Sequence, residues 1–134
     1  VIELASWRDL EAAVSEGFGI GSGTRTDPSL SQISRPEELE SEIAGSRTDI
    51  EERLGVPCTY LSWSHGTLED CLLEVDGVVA GAGYSGMFRT IRGSIQPGTP
   101  ADPYPIPRDH FEEQRSISHV RGFLAGHREH SRGE

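Results

Sequence analysis

Ser6-Trp7-Arg8-Asp9-Leu10 opens, and Gly17-Phe18-Gly19-Ile20-Gly21-Ser22 closes, the stretch that decides the fold. Ser6 is a helix cap with Asp9 three residues on, and Trp7, Leu10, Ala13 and Val14 recur at helical spacing. Gly17 stops this helix, which the pattern places at Ser6 to Glu16. Phe18-Gly19-Ile20 then reads as a short strand, and the polar stretch from Ser22 to Ser34, with Pro28 inside it, as a loop. The same alternation continues outward. Ser34-Arg35-Pro36-Glu37 predicts a capping box with Pro at the first helical position. Leu39, Ile43, Ile50 and Leu54 form the apolar stripe of the helix it starts, and Gly55 and Pro57 end it. Glu37, Glu38, Glu40 and Glu42 form its solvated, dipole-favoured face. Cys58 to Trp63 predicts a strand and Ser64-His65-Gly66 a turn. A helix at Leu68 to Ala80 and a strand at Tyr84 to Thr90 follow. After a Gly/Pro-rich loop from Arg92 to Tyr104 come a strand at Ile106 to Phe111 and a helix at Ser116 to Gly126. Helices alternating with strands predict a single α/β domain over 1–134 with mainly parallel strands, its tail flexible from about residue 127. Such sheets place ligands at the carboxyl ends of strands. That marks the loops after Ile20 and after Trp63.

The chain has 134 residues, enough for one modest core. Asp and Glu number 22 against 12 cations, for a net charge of -10, and every cation is Arg. Such a chain repels phosphate backbones, which argues against nucleic acid as a partner. No apolar run reaches membrane-spanning length, and Val1-Ile2-Glu3-Leu4 does not read as a signal peptide, having no basic region followed by a long apolar one. A cytoplasmic protein is expected. Cys58 and Cys71 are too few for a disulfide framework and are read as buried thiols in a reducing compartment.

Several residue constellations invite chemistry. Gly17, Gly19, Gly21 and Gly23 alternate, but Thr24 stands where a dinucleotide fingerprint needs its third Gly, and no helix follows. Ser62, Ser64, His65 and Asp70 hold the residue types of a triad. Adjacent Ser64 and His65 face each other poorly, so a turn with an accessible imidazole is the expectation. His127 and His130 lie in a polar tail, and His110 and His119 are isolated. Trp63 has two readings: a stacking plane for a sugar ring, or a core filler.

From Trp7 to about Arg108 the chain resembles the polysaccharide deacetylase (NodB-homology) family. The residues that carry this are Trp7-Arg8-Asp9-Leu10 with Glu16 to Ser22, Leu30-Ser31, Glu38-Leu39 with Glu42-Ile43 and Ser46, and Ile50-Glu51 with Leu54-Gly55. Further along stand Leu61-Ser62-Trp63-Ser64-His65-Gly66, similar to the family's Tyr-Pro-x-Gly loop, then Ala82-Gly83-Tyr84 and Ile106-Pro107-Arg108. The resemblance implies a distorted (β/α) barrel. It also implies a zinc ion, held by one Asp and two His, that polarises an amide carbonyl and activates water, with a second Asp as base and a backbone amide for the oxyanion. The chain departs from this pattern. Gly23 and Asp27 fall on the two histidine positions. The aspartate pair belongs to a strand that would precede Trp7. Trp63 and Ser64 replace Tyr-Pro. The expected fold is therefore an incomplete barrel lacking its amino-terminal strands.

Three functional expectations follow. The first is a degenerate deacetylase-like protein of carbohydrate metabolism, serving carbohydrate recognition or acting as a partner subunit, with no cofactor. The second is an active hydrolase of non-peptide carbon–nitrogen bonds, completed by a missing segment or second chain. The third is a truncated remnant without function. Trp63, His65, Asp27 and Thr24 form the candidate ligand groove, and the metal set is empty. A carbohydrate is the candidate ligand. A second copy or a partner chain is the candidate cover for the open barrel edge.

Overall fold

The computed structural model describes residues 4–63, 73–90, 92–93, 95, 105–108 and 116–125. Helix α1 spans Trp7–Ser15 and starts as expected: Ser6 accepts from the Asp9 amide, and the Asp9 carboxylate reaches back to the Ser6 amide at 2.8 Å. Its end explains a correction. The amides of Gly17 and Phe18 bond back to Val14 and Ala13 at 3.0 Å, with Gly17 at φ 92°. This left-handed cap takes Phe18 into the helix terminus. Phe18 to Ile20 is therefore not a strand, and Phe18 is exposed. The chain reaches the sheet two residues later, where Ser22 bridges Leu61 in parallel.

The second helical stretch is continuous but composite. Helix α2, Pro36–Glu40, runs through a π-helical turn, Ser41–Gly45, into α3, Ser46–Leu54. Pro36 holds the residue before it extended, so Arg35, not Ser34, is the N-cap, and the predicted capping box does not form. Arg35 pairs instead with Glu38 at 3.0 Å. Gly55 closes the stretch in the left-handed region at φ 65°. Leu39 and Ile43 are buried, and Ile50 packs against their cluster.

Strands β1 (Tyr60–Ser62), β2 (Gly86–Phe88) and β3 (Pro105–Ile106) form an open parallel sheet in sequence order. β1 and β2 are the cores of the predicted 58–63 and 84–90 strands, whereas β3 begins one residue before the predicted 106–111 strand and overlaps it only at Ile106, with Pro107 and Arg108 outside the ladder. Helix α4, Leu73–Gly81, connects β1 to β2, and α5, Ile117–Leu124, lies near the end of the described chain. The start of the predicted 68–80 helix, most of the 92–104 loop, residues 109–111 of the third strand and the tail from 127 lie outside the described residues, as do Cys71 and His65.

Period-two alternation divides the sheet's faces. Leu61 and Met87 face the helices and join Leu30, Leu39, Ile43, Val75 and Val79 in the core. Tyr60 and Phe88 face the other way, their rings 5.7 Å apart, and Tyr60 remains 46% exposed. Arg47 ties α3 to the turn before β2. It bonds Glu51 and the Ala82 carbonyl and lies over the Tyr84 ring at 5.6 Å. A Cβ on Gly83 would collide with this guanidinium, and φ there is 81°, a conformation that favours glycine. Cys58 is a buried free thiol whose pKa burial pushes up, which keeps it an inert neutral group at neutral pH.

Candidate functional site

The loop from Ser22 to Pro28 is built onto the α2–α3 helical stretch by two acids. Glu42 accepts from the amides of Arg25 and Thr26 at 2.9 Å and from the Thr26 hydroxyl at 2.8 Å. Asp49 takes a two-pronged grip from Arg25, at 2.7 and 2.9 Å, and Arg25 also donates to Ser41 at 2.9 Å. A Cβ on Gly45 would sit 2.8 Å from the guanidinium carbon. The π-helical turn thus offers a bare patch on which Arg25 lies. Sequence reasoning placed Glu42 on a solvated face; it is a clamp instead. The signal was a run of consecutive loop donors at 25 and 26, which need an acceptor somewhere.

Beneath the loop runs a buried chain of hydroxyls. Each Ser offers one donor, so the contacts allow a consistent direction. The Thr24 amide donates to Ser22 Oγ at 3.0 Å, Ser22 to Ser46 Oγ at 2.7 Å, and Ser46 to the Ile43 carbonyl at 2.9 Å. The Tyr84 hydroxyl donates to the same carbonyl at 3.0 Å. Burial raises the Tyr84 pKa and keeps this donor protonated. Ser22, Ser46 and Tyr84, three landmarks of the sequence, therefore meet in one network. Ser62 and Arg108 meet as well, at 3.0 Å.

Thr24 and Asp27 both adopt positive φ, 70° and 55°. For β-branched Thr24 this is a strained position. Its hydroxyl accepts from the Asp27 amide at 3.2 Å. Thr24 lines a cavity of about 400 Å³ with Trp7, Leu10, Arg25, Asp49 and Ile50, between α1, α3 and the loop. A larger groove, about 650 Å³, lies along Gly19 to Gly23 against Tyr60 and Phe88. Asp27 and Trp63 line neither. Trp63 is 1% exposed and packs in the core, with Arg89 over its ring at 5.5 Å. Of its two readings, core filler is the one seen, and it offers no face to a sugar. The aromatic surface beside Thr24 comes from Trp7, which is 37% exposed and carries Arg53 over its ring at 4.9 Å. Sequence reasoning assigned Trp7 to the apolar stripe of α1 and to the stretch that carries the family resemblance, and not to a ligand site.

The residues at the implied zinc positions do not fit zinc. Gly23 has no donor, and a Cβ built there meets nothing within 4 Å, so the space for a larger side chain is open. Asp27 is one carboxylate on an exposed loop, and catalytic zinc takes three protein ligands. Among the described residues, no three His, Cys, Asp or Glu side chains cluster as metal ligands.

The architecture has solved counterparts. It is similar to the Streptococcus pyogenes deacetylase PplD, solved in complex with acetate, with TM-score 0.63 and 15% identity over 78% of this chain and 45% of that one. The chain shares the fold of polysaccharide deacetylases. A polysaccharide deacetylase from Bacillus cereus gives TM-score 0.65 at 21% identity over 92% of this chain and 36% of its own. A de-N-acetylase from Aggregatibacter actinomycetemcomitans gives 0.66 at 14% over 90% and 53%. The chain thus spans about a third to a half of the deacetylase structures it matches. No family model and no curated protein matches it. No described helix is long and apolar enough to cross a membrane.

The clamps that shape this deacetylase-fold loop respond to acid. Arg25 holds the Asp49 carboxyl below its ordinary range. The Cys58 amide, then Arg47, does the same for Glu51, and the Ser6 hydroxyl and amide for Asp9. A depressed carboxyl stabilises the fold fully above its unfolded pKa, near 4, and loses that contribution as pH falls through its folded value. The urea midpoint is expected to be level from pH 7 to about pH 5 and to drop below about pH 4. Asp49→Asn should lower the neutral midpoint and shrink the drop. An equal midpoint at pH 7 and pH 3 would refute this account.

Proposed function

We propose that this chain is a deacetylase-like domain that recognises carbohydrate without metal chemistry of its own. It is the incomplete barrel the sequence implies, a pseudoenzyme acting in carbohydrate metabolism, with no cofactor. One observation carries the reading: Gly23 and Asp27 stand where the resemblance puts histidines, while the loop that bears them is still held in place by Glu42 and Asp49. The ligand site it favours is the cavity beside Thr24. Trp7 supplies an aromatic surface there, and Thr24, Arg25 and Asp49 supply groups that bond hydroxyls.

Calorimetry with zinc at neutral pH should show no stoichiometric site tighter than about micromolar. Chito-oligosaccharides should change tryptophan fluorescence saturably in the wild type and not in Trp7→Ala. A tight one-to-one zinc isotherm would sink the metal-free reading. Sugar binding that is absent, or that survives Trp7→Ala, would remove the cavity.

A second reading, a subunit that works with another chain or segment, is favoured by the short span of the match. In that arrangement the partner would cover the open edge, and an active N-deacetylase would take its aspartates from outside these residues.

A further inference from the structure

The amides that Glu42 holds have the geometry of an anion site. Arg25 and Thr26 send successive N–H groups to one oxygen, Glu42 Oε2, each at 2.9 Å, and the Thr26 hydroxyl donates to Oε1 at 2.8 Å. Consecutive amides that converge on one point make a backbone concavity that favours negative charge. The flanking residues shape it. Thr24, at φ 70°, turns the chain into the pair, and Asp27, at φ 55°, turns it out. The Thr24 amide goes to Ser22 Oγ and the Asp27 amide to Thr24 Oγ1, so the two middle amides are the ones aimed at the carboxylate. Glu42 reaches them from the π-helical turn Ser41–Gly45, a kind of turn that recurs at functional sites. The Arg25 side chain anchors the loop separately. Asp49 grips it at 2.7 and 2.9 Å, and it donates to Ser41 at 2.9 Å. That grip does not pass through Glu42.

We propose that the concavity formed by Arg25 and Thr26 is a carboxylate-binding site with Glu42 as its internal occupant, and that it takes a free monocarboxylate once the Glu42 side chain is withdrawn. Three donors on two oxygens match a planar carboxylate. Charge sets the class further. The neighbouring guanidinium is already neutralised by Asp49, and the body carries -10, so a single negative charge suits the site and a doubly charged phosphate is opposed. Glu42 is half-buried and Thr26 is exposed, so the site opens to solvent. Glu42 is thus an autoinhibitory contact: it keeps outside anions from a site built to hold them. Thr24 and Arg25 also line the cavity beside Trp7, so the same carboxylate fixes one wall of that cavity. The proposal concerns the carboxylate alone, and its test uses no sugar.

The test uses the whole chain as Glu42→Ala, which empties the site and leaves the Arg25–Asp49 grip in place. Sodium acetate is titrated against sodium chloride at equal ionic strength while the backbone amides are followed by nuclear magnetic resonance. The Arg25 and Thr26 amides of Glu42→Ala should shift saturably with acetate, in the millimolar range. The wild type and Glu42→Gln both keep an oxygen against the same donors, and each should bind acetate about ten-fold more weakly or worse. Inorganic phosphate should bind Glu42→Ala more weakly than acetate does. If Glu42→Ala does not fold in chloride, circular dichroism reads the same equilibrium: folding in acetate alone supports the site, and an unfolded chain in both salts overturns it. No saturable shift in folded Glu42→Ala overturns the proposal. Equal shifts in the wild type, or shifts confined to other amides, place the anion elsewhere and overturn it too. Phosphate binding tighter than acetate overturns the carboxylate class.

Discussion

Trp63→Ala is expected to cost about 3–5 kcal/mol of folding stability, the range for large aromatic truncations in a core. Trp63 is the largest fully buried side chain. Its amide bonds the Phe88 carbonyl at 2.9 Å, extending the β1–β2 ladder, and its ring carries the buried guanidinium of Arg89. Truncation removes the packing and the cation–π contact together. For a domain whose whole stability is on the order of 5–15 kcal/mol, such a loss is a large fraction of the total. Trp63→Phe is the informative companion. The indole Nε1 of Trp63 is buried with no hydrogen-bond partner among the described residues, and a buried donor left unpaired costs about 1–3 kcal/mol. Phe discards that donor and keeps most of the apolar volume, so its net cost should stay within about 1.5 kcal/mol. Urea midpoints of the three proteins decide the matter. If Trp63→Ala lost less than about 1 kcal/mol, the ring would not be a core element, and sugar stacking at Trp63 would return as its role.

The sequence was legible where local chemistry acts alone. The Ser6–Asp9 box, the Gly17 and Gly55 stops and the Leu39–Ile43 stripe are each dictated by a few neighbouring residues, and they appear where expected. It misled where two local signals competed. Ser34 is a good cap, but Pro36 constrains Arg35 more strongly than a hydroxyl can attract an amide. Gly17 recruits Phe18 into the helix end and delays pairing to Ser22. The clamps were invisible because they span 16 to 24 residues, from Arg25 and Thr26 to Ser41, Glu42 and Asp49. Nothing in the spacing says which acid a loop arginine will find. The landmarks behind the family resemblance also divide in a telling way. Ser22, Ser46, Tyr84, Ser62 and Arg108 turn out to hold one another, while Gly23, Asp27 and Trp63 are the positions that depart. The residues that hold one another belong to the scaffold under the loop. This is why its fold could be read from the sequence more readily than its activity.

The Arg89–Asp76 pair tests how that scaffold handles charge. Arg89 stands just past β2 with its side chain 4% exposed, and Asp76 reaches it from α4 with its own side chain 33% exposed. Taking a guanidinium out of water is costly, and a paired carboxylate offsets the cost only while it remains. Asp76→Ala leaves the buried charge with one anion fewer and should cost about 3 kcal/mol or more. Replacing both partners removes the charge along with its counterion. Asp76→Ala with Arg89→Met should therefore be more stable than Asp76→Ala alone, so the two changes fail to add. The sign of this departure separates an ion pair from mere packing. If Arg89 served the core only through its aliphatic stem and its face on Trp63, its loss would add to that of Asp76 and the double variant would be the worse. Urea titrations of the wild type, both single variants and the double variant close the cycle. Strict additivity, or an Asp76→Ala loss below about 0.5 kcal/mol, would show that Arg89 draws its compensation from elsewhere. The expected result instead makes Asp76 a counterion that offsets the cost of a full positive charge beside Trp63 at the strand ends.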